Sequence, residues 1–266
     1  MADIKSEKLD SILKALDSFV VAFSGGVDSS FLLNRASSLL KNKVMAVTIR
    51  TPYIPDMEIS EAVGFTKKHG IRHNVIELDI PDSIKNNPLQ RCYLCKKILF
   101  NQLIDFAGKN NIKYVVDGSN ADDTGDYRPG LRALKELEIR SPLLEAGLTK
   151  DEIRALSRKE GLDTWDKPAL ACLLTRIPYD TEINEKTLRM IEAAENLLFE
   201  EGFPGTRVRV HDNVARIECI PGFIDKLVKK PLRDYIVSGM KKIGFRYVSL
   251  DLEGYRTGSS NPEFKK

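Results

Sequence analysis

Short apolar runs alternate with amphipathic segments along the first two thirds of the chain. Residues 18–23, SFVVAF, form a run of strand length that leads through the turn SGGVDSS into a helical pattern carrying Phe31, Leu32, Leu39 and Leu40. The unit repeats. VMAVTI (44–49) precedes a helical pattern over 58–69, HNVIEL (73–78) follows, and a longer helix starting near Cys95 leads to KYVVDG (113–118). Such alternation predicts an α/β domain with a parallel sheet covered on both faces. The segment 149–160, TKDEIRALSRKE, opens with Thr149 and has Glu152 three residues later, the pattern of a capping box at the start of one more surface helix.

The texture changes after WDKPALACLLTRIPYDTEI. A helical pattern over 184–201 leads to the short alternating runs RVRVHD and VARIEC, then to helical segments around 223–228 and 232–243, a strand at 247–252 and a polar tail. This predicts a smaller C-terminal α+β domain, with residues 1–178 in the first domain and 179–266 in the second.

Composition narrows the functional classes. No run of about 18 apolar residues occurs, and the opening MADIKSEKLDSILKALDSF is an amphipathic helix pattern without a signal-peptide core, so no membrane association and a cytoplasmic location are expected. Forty-one basic and thirty-eight acidic residues leave a formal charge of +3 and a pI near 8.5, which disfavours a dedicated nucleic-acid-binding domain and leaves anionic small molecules open as partners. Four cysteines, Cys92, Cys95, Cys172 and Cys219, are too few and too unevenly spaced for a disulfide framework.

The loop Ser24-Gly25-Gly26-Val27-Asp28-Ser29-Ser30 lies directly after an apolar strand and opens a helix. Its glycines let the backbone approach an anion, its hydroxyls add donors, and the helix N-terminus adds positive potential, so the loop suits a pyrophosphate. It has neither the Gly-Lys-Ser/Thr of a Walker A loop nor G-x-G-x-x-G. SGGVDSS instead resembles the SGGxDS signature of PP-loop ATP pyrophosphatases, which cleave ATP between its α and β phosphates. That resemblance makes Asp28 a Mg²⁺ candidate and brings the strand-end positions Thr48 and Gly118 near the nucleotide. The alternative is a Ser/Gly-rich turn in which Asp28 caps the helix.

Arg91-Cys92-Tyr93-Leu94-Cys95-Lys96-Lys97 sets two thiols three positions apart at a helix start among three cations, a setting that favours the thiolates that bind metal. A structural zinc needs two further ligands, and thioredoxin-type redox chemistry lacks its strand context. With Cys172, from the loop KPALACLLTR, three thiolates suit a [4Fe-4S] cluster with one iron left open; zinc and unliganded thiols are the alternatives. Cys219, inside a strand pattern, reads as a small buried residue.

Together SGGVDSS, DGSNADDTGDYRPGLRAL, RSPLLEAGLTKDEIRALS, KPALACLLTRIPYDTEI, RVRVHDNVARIE and LDLEGYRTGS resemble the LarE family over almost the whole chain. The resemblance implies an ATP-dependent sulfur transferase that adenylates a carboxylate of pyridinium-3,5-dicarboxylate mononucleotide and makes a thiocarboxylate, serving the nickel-pincer cofactor of lactate racemase. It implies ATP and Mg²⁺ on the phosphate loop, and either a [4Fe-4S] cluster on Cys92, Cys95 and Cys172 that carries sulfide or a Cys172 that gives up its own sulfur. The CxxC favours the cluster. Arg207 and Arg209, two apart on one strand face, and Arg216 on the next strand are implied holders of the substrate phosphate, against solvated arginines as the alternative. Asp122, Asp123 and Asp126, with Tyr127 and Arg128, form a polar loop suited either to placing metal or adenylate or to simple capping. The smaller domain is expected to bind substrate and to support a homo-oligomer. A PP-loop tRNA thiolase and an ATP-sensing regulatory module are the competing functions.

Overall fold

The computed structural model describes residues 2–125, 129–168 and 171–256. Asp126, Tyr127 and Arg128 of the polar loop, Ala169 and Leu170 ahead of Cys172, and the tail from residue 257 lie outside the described residues. The chain divides into two compact units, residues 1–84 with 90–170 and residues 85–89 with 171–266, where sequence texture alone puts the change near residue 178.

The first unit runs α1 (Ala2–Leu16), β1 (Phe19–Ala22), α2 (Val27–Leu40), β2 (Val44–Arg50), α3 (Asp56–Lys68), β3 (His73–Glu77), α4 (Arg91–Lys109), β4 (Tyr114–Val116), α5 (Pro129–Glu136), α6 (Pro142–Ala146) and α7 (Lys150–Lys159). Its described strands form one parallel sheet in the order β3-β2-β1-β4. The apolar runs are continuous because both faces are covered. Phe19, Val21, Val44 and Ala46 pack with Leu13, Phe31, Leu143 and Ile153 in one core, while the alternate positions Val20, Met45, Val47 and Ile49 pack with Phe100, Leu103 and Leu134 in another. A period of two thus sorts each strand between two helical layers. In register, Phe19 lies beside both Val44 and Tyr114, so β1 has β2 on one side and β4 on the other. The chain order reverses there, and loops at the carboxyl ends of strands flanking such a point form a crevice for ligands.

Helix α4 begins at Arg91 rather than near Cys95. The breaker in that stretch is Pro88, and nothing after it stops a helix. Helix α7 carries the expected capping box: the Glu152 amide donates to Thr149 Oγ1 at 3.4 Å and the Thr149 amide to Glu152 Oε2 at 3.0 Å.

The second unit contains α8 (Glu185–Glu200), β5 (Arg207–His211), β6 (Val214–Glu218), α9 (Ile224–Leu227), α10 (Leu232–Ile243) and β7 (Tyr247–Leu250). Strands β5 and β6 are an antiparallel hairpin turned at Asp212 and Asn213, with β7 parallel beside β6. Asp212 has φ of 51°, the left-handed conformation that Asp tolerates in a two-residue hairpin turn. Residues 85–89 join this unit through Asn87, which is fully buried and whose Nδ2 donates to the carbonyls of Ile177 at 3.0 Å and Pro178 at 2.8 Å. Among the described residues no helix is long and apolar enough to cross a membrane.

One polar chain crosses the sheet edge behind the phosphate loop. Thr48 Oγ1 donates to the Phe23 carbonyl at 2.7 Å and lies 2.8 Å from His73 Nε2, while His73 Nδ1 lies 3.0 Å from Thr66 Oγ1. Thr66 Oγ1 in turn donates to the carbonyls of its own helix, Val63 at 3.0 Å and Ala62 at 3.1 Å, so the His73 ring is held between two hydroxyls that each face a carbonyl. Burial holds the His73 ring below its ordinary value of 6.5, and His69 and His211 are also lowered, by burial first. The unfolded chain therefore binds these protons more readily than the folded one. Stability is full above about pH 6.5 and falls as pH drops from there through the lowered folded values. Unfolding in urea between neutral pH and about pH 5 should show this acid loss, and His73→Gln should remove the His73 part of it. An unchanged pH slope in that variant would contradict the assignment.

Candidate active site

The phosphate loop occupies the crevice predicted by the sheet order. Its first residues follow β1, and Gly118 follows β4 on the neighbouring strand. A Cβ on Gly118 would lie 3.0 Å from the Ser29 amide nitrogen and 3.3 Å from its Cα, so glycine lets the β4 loop run close against the first turn of α2. Gly25 has φ of +70°, and its Cβ would lie 3.3 Å from backbone and side-chain atoms of Ala62 on α3. Within the loop, Ser24 Oγ and Ser29 Oγ are 3.2 Å apart, and the Gly26 amide and the Ser24 amide reach Ser24 Oγ and Ser29 Oγ only at 3.4 Å. These bonds are long and weak, so the donors can be given to a phosphate oxygen at small cost. Ser30 is fully buried and its hydroxyl has no partner among the described residues.

Asp28 does not cap α2. The N-cap is Gly26, without a side-chain cap, and Asp28 lies in the first turn with its carboxylate 2.5 Å from Lys150 Nζ and 3.4 Å from Asn120 Nδ2. Lys150 is the first residue of α7, and its amide donates to Asp122 Oδ2 at 2.8 Å. Asp122 therefore caps α7, and Asp123 accepts the Asn120 amide at 2.9 Å, closing the loop after β4. Lys167 reaches in from the other side, donating to the Gly25 carbonyl at 3.1 Å and pairing with Glu61. Together Ser24, Gly26, Asp28, Glu58, Lys150 and Lys167 line a cavity of about 190 Å³. Thr48 stands behind this loop instead, 3% exposed, with its hydroxyl on Phe23 and His73.

Cys92 is exposed and Cys95 half-buried, one turn apart at the start of α4, and Tyr53 Oη lies 3.2 Å from Cys95 Sγ. Cys172 belongs to the second unit, at the N-cap of a short 3₁₀ turn, Leu173–Arg176, with its carbonyl accepting from the Thr175 amide at 3.2 Å and from Arg176 Nη1 at 3.2 Å. Among the described residues no three Cys, His, Asp or Glu side chains are grouped as one metal site. Cys219 is buried, and burial raises its thiol.

Arg207 and Arg209 are 6% and 7% exposed, so they are not solvated arginines on an outer face. Pairing of Arg209 with Arg216 and of Arg207 with Glu218 puts all four on one face of the β5–β6 hairpin. Glu218 accepts from Arg209 at 2.9 Å on one oxygen and from Arg216 at 2.8 Å on the other, and Arg209 also donates to the Thr175 carbonyl. Glu195 on α8 takes Arg176 in a bidentate pair at 2.8 and 2.9 Å, leaving Arg207 at 4.0 Å. The two arginines diverge accordingly. Burial opposes the charge on Arg176 but the Glu195 bonds outweigh it and raise its pKa, whereas burial, reinforced by Arg176, lowers that of Arg207.

The family model described as NAD synthase matches residues 7–121, which span the phosphate loop and the parallel sheet. The chain is 38% identical, over all of its length and 98% of the relative's, to the pyridinium-3,5-bisthiocarboxylic acid mononucleotide synthase of Lactiplantibacillus plantarum. It is also 38% identical to an uncharacterized protein of Synechocystis over 98% of both chains, and 27% identical to the glutamine-hydrolyzing GMP synthase of Campylobacter lari over 70% of this chain and 40% of that one. The chain belongs to the LarE family.

Membership makes it an ATP-dependent sulfur transferase of the PP-loop type, as the phosphate loop implied, and sets aside an ATP-sensing module without turnover. The LarE-family motifs led to the loop, the thiols and the β5 arginines but not to Lys150, Lys167, Arg176, Glu195 or Glu218. Lys150 and Glu195 lie inside helical patterns and read as surface residues, while Lys167 and Arg176 lie in a stretch without a pattern. The one available signal was register: a two-residue turn at Asp212 and Asn213 already sets Glu218 opposite Arg207. Because Glu218 is 2% exposed and holds two guanidinium groups, Glu218→Ala should lower the unfolding free energy by about 3–5 kcal/mol. Denaturant unfolding checks this, and a loss under about 1 kcal/mol would mean that the arginines find other partners.

Proposed function

We propose that this LarE-family chain activates a carboxylate of pyridinium-3,5-dicarboxylate mononucleotide with ATP and replaces an oxygen of that carboxylate with sulfur. The observation that carries the reading is the phosphate loop at the sheet's reversal point, in a chain that aligns from end to end with a synthase of the bisthiocarboxylic acid mononucleotide. In the first step a carboxylate oxygen bonds to the α-phosphorus and pyrophosphate leaves. In the second, a sulfur nucleophile adds to the acyl carbon and AMP leaves, with the proton lost to solvent. Ser24, Gly25, Gly26, Ser29 and Ser30 belong to the phosphate-holding loop, and Gly118 keeps the neighbouring strand end clear of it. Asp28 is the Mg²⁺ ligand of this reading, and its carboxylate is paired with Lys150 at 2.5 Å. Arg207 receives the substrate phosphate, while Arg209 and Arg216, both tied to Glu218, fix the face on which it binds.

The thiol chemistry fits a [4Fe-4S] cluster. Cys92 and Cys95 stand one turn apart at a helix N-terminus, with a phenol hydroxyl against Cys95, and Cys172 is the third donor of the set. A cluster held by these thiols would supply the sulfur for transfer. Arg176 and Thr175 hold the backbone at Cys172.

Magnesium-dependent formation of AMP and pyrophosphate is expected, and Asp28→Ala should abolish it; ADP and phosphate as products would overturn the reading. Arg207→Ala should weaken binding of the mononucleotide by about tenfold or more in calorimetry, with ATP affinity little changed. Equal loss of both would remove Arg207 from the substrate site. Cys95→Ser should lose bound iron and sulfur transfer together while pyrophosphate release survives. Intact-protein mass spectrometry after turnover decides the sulfur source: loss of H₂S from Cys172 in proportion to product would replace the cluster with Cys172 itself as donor.

A further inference from the structure

The cavity beside the phosphate loop is bounded by two lysines that lie far from that loop in the chain, and one helix governs both. Lys150 is the first residue of α7, and Arg154, one turn later on the same face, reaches the segment that carries Lys167. Its Nη1 donates to the Trp165 carbonyl at 2.7 Å and its Nη2 to the Lys167 carbonyl at 2.9 Å. One turn further, the Arg158 guanidinium lies 4.9 Å from the centre of the Trp165 ring. The Lys167 amide donates to the Thr164 carbonyl at 3.2 Å, which turns the backbone, and the Lys167 side chain, 15% exposed, then reaches the Gly25 carbonyl. A planar guanidinium that spans two carbonyls two residues apart fixes the segment in a way that a single ammonium cannot.

We propose that Arg154 is a positioning residue for ATP binding, acting by setting Lys167 against the phosphate loop. The proposal rests on the assignment of this cavity to the phosphates of ATP. In the free enzyme Lys167 holds the carbonyl of Gly25, the residue whose left-handed conformation shapes the loop, so the loop and its cation are placed together. Loss of the Arg154 fork would leave Lys167 with its charge but without its position.

The test is a double-mutant cycle on the full-length protein, read by calorimetric titration with Mg²⁺ and a non-hydrolysable ATP analogue. Thermal unfolding serves as a check that each variant is folded. Lys167→Met is expected to weaken binding about tenfold, Arg154→Gln by a similar factor, and the double variant no more than Lys167→Met alone, since both remove one contact. Arg154→Lys should behave like Arg154→Gln despite keeping the charge; it also carries the test if Arg154→Gln fails to fold. In steady-state pyrophosphate release, the Arg154 variants should raise KM for ATP more than they lower kcat. Additive losses in the double variant, or full affinity in Arg154→Lys, would overturn the positioning role while leaving the ATP site in place. If Lys167→Met alone left affinity unchanged, the proposal would fall together with the assignment of the cavity.

Discussion

The first unit depends on backbone running close against backbone. At Gly118 the loop after β4 runs against the first turn of α2, where a methyl group would lie 3.0 Å from the Ser29 nitrogen and force the two apart by a few tenths of an ångström. At Gly25 the chain takes a left-handed turn against Ala62 of α3. These two approaches hold the loop close to its neighbours, and Asn120, beyond the end of a different strand, lies 3.4 Å from Asp28. A wider spacing would still give a parallel sheet. It would not give one anion site shared by the ends of β1 and β4, which is where a sheet of order β3-β2-β1-β4 leaves space.

Around that backbone the side chains keep each other occupied. Lys150 holds Asp28, Lys167 holds the Gly25 carbonyl and Glu61, and the hydroxyls of Ser24 and Ser29 face each other. Every one of these groups has a second possible partner in a magnesium–triphosphate complex. Interactions among exposed or half-exposed charges contribute little to stability, so exchanging them for a metal and a triphosphate sacrifices little. The ligand-free arrangement is therefore a set of replaceable contacts on a rigid frame, with the rigidity coming from the two apolar cores on either side of the sheet.

Much of this frame was legible in the sequence. SFVVAF and VMAVTI could be assigned to a doubly covered sheet because a strand buried on both faces has no polar alternation, and their neighbours sorted between two cores as that predicts. The capping box at Thr149 fixed the start of α7 from two residues, since it is a local interaction. Long-range decisions were not legible. Residues 85–89 join the second unit because Asn87 bonds carbonyls some ninety positions away, a partnership that has no local pattern. The functional lysines escaped for the same reason: Lys150 and Lys167 are placed by α7 and by the turn after it, not by their neighbours in sequence. The β5 arginines were legible by their spacing of two, yet their difference in role was not, because it depends on which of them Glu195 holds.

That difference determines what the second unit can discriminate. Four guanidinium groups, those of Arg176, Arg207, Arg209 and Arg216, meet the carboxylates of Glu195 and Glu218, with Asp251 3.6 Å from Arg216. Glu195 takes Arg176 with both oxygens, accepts the Val208 amide at 2.9 Å and lies 4.0 Å from Arg207, while Glu218 divides its pair between Arg209 and Arg216 and the Tyr255 ring lies 5.5 Å from the Arg207 guanidinium. Burial lowers the pKa of Arg207, and a phosphate dianion offers both the charge and the geometry that one guanidinium can accept. A neutral nucleoside would offer no such charge. On the proposed reading, a preference for a phosphorylated substrate would arise from how the carboxylates are shared, and a change at Glu195 or Glu218 would alter it as surely as a change at Arg207 itself.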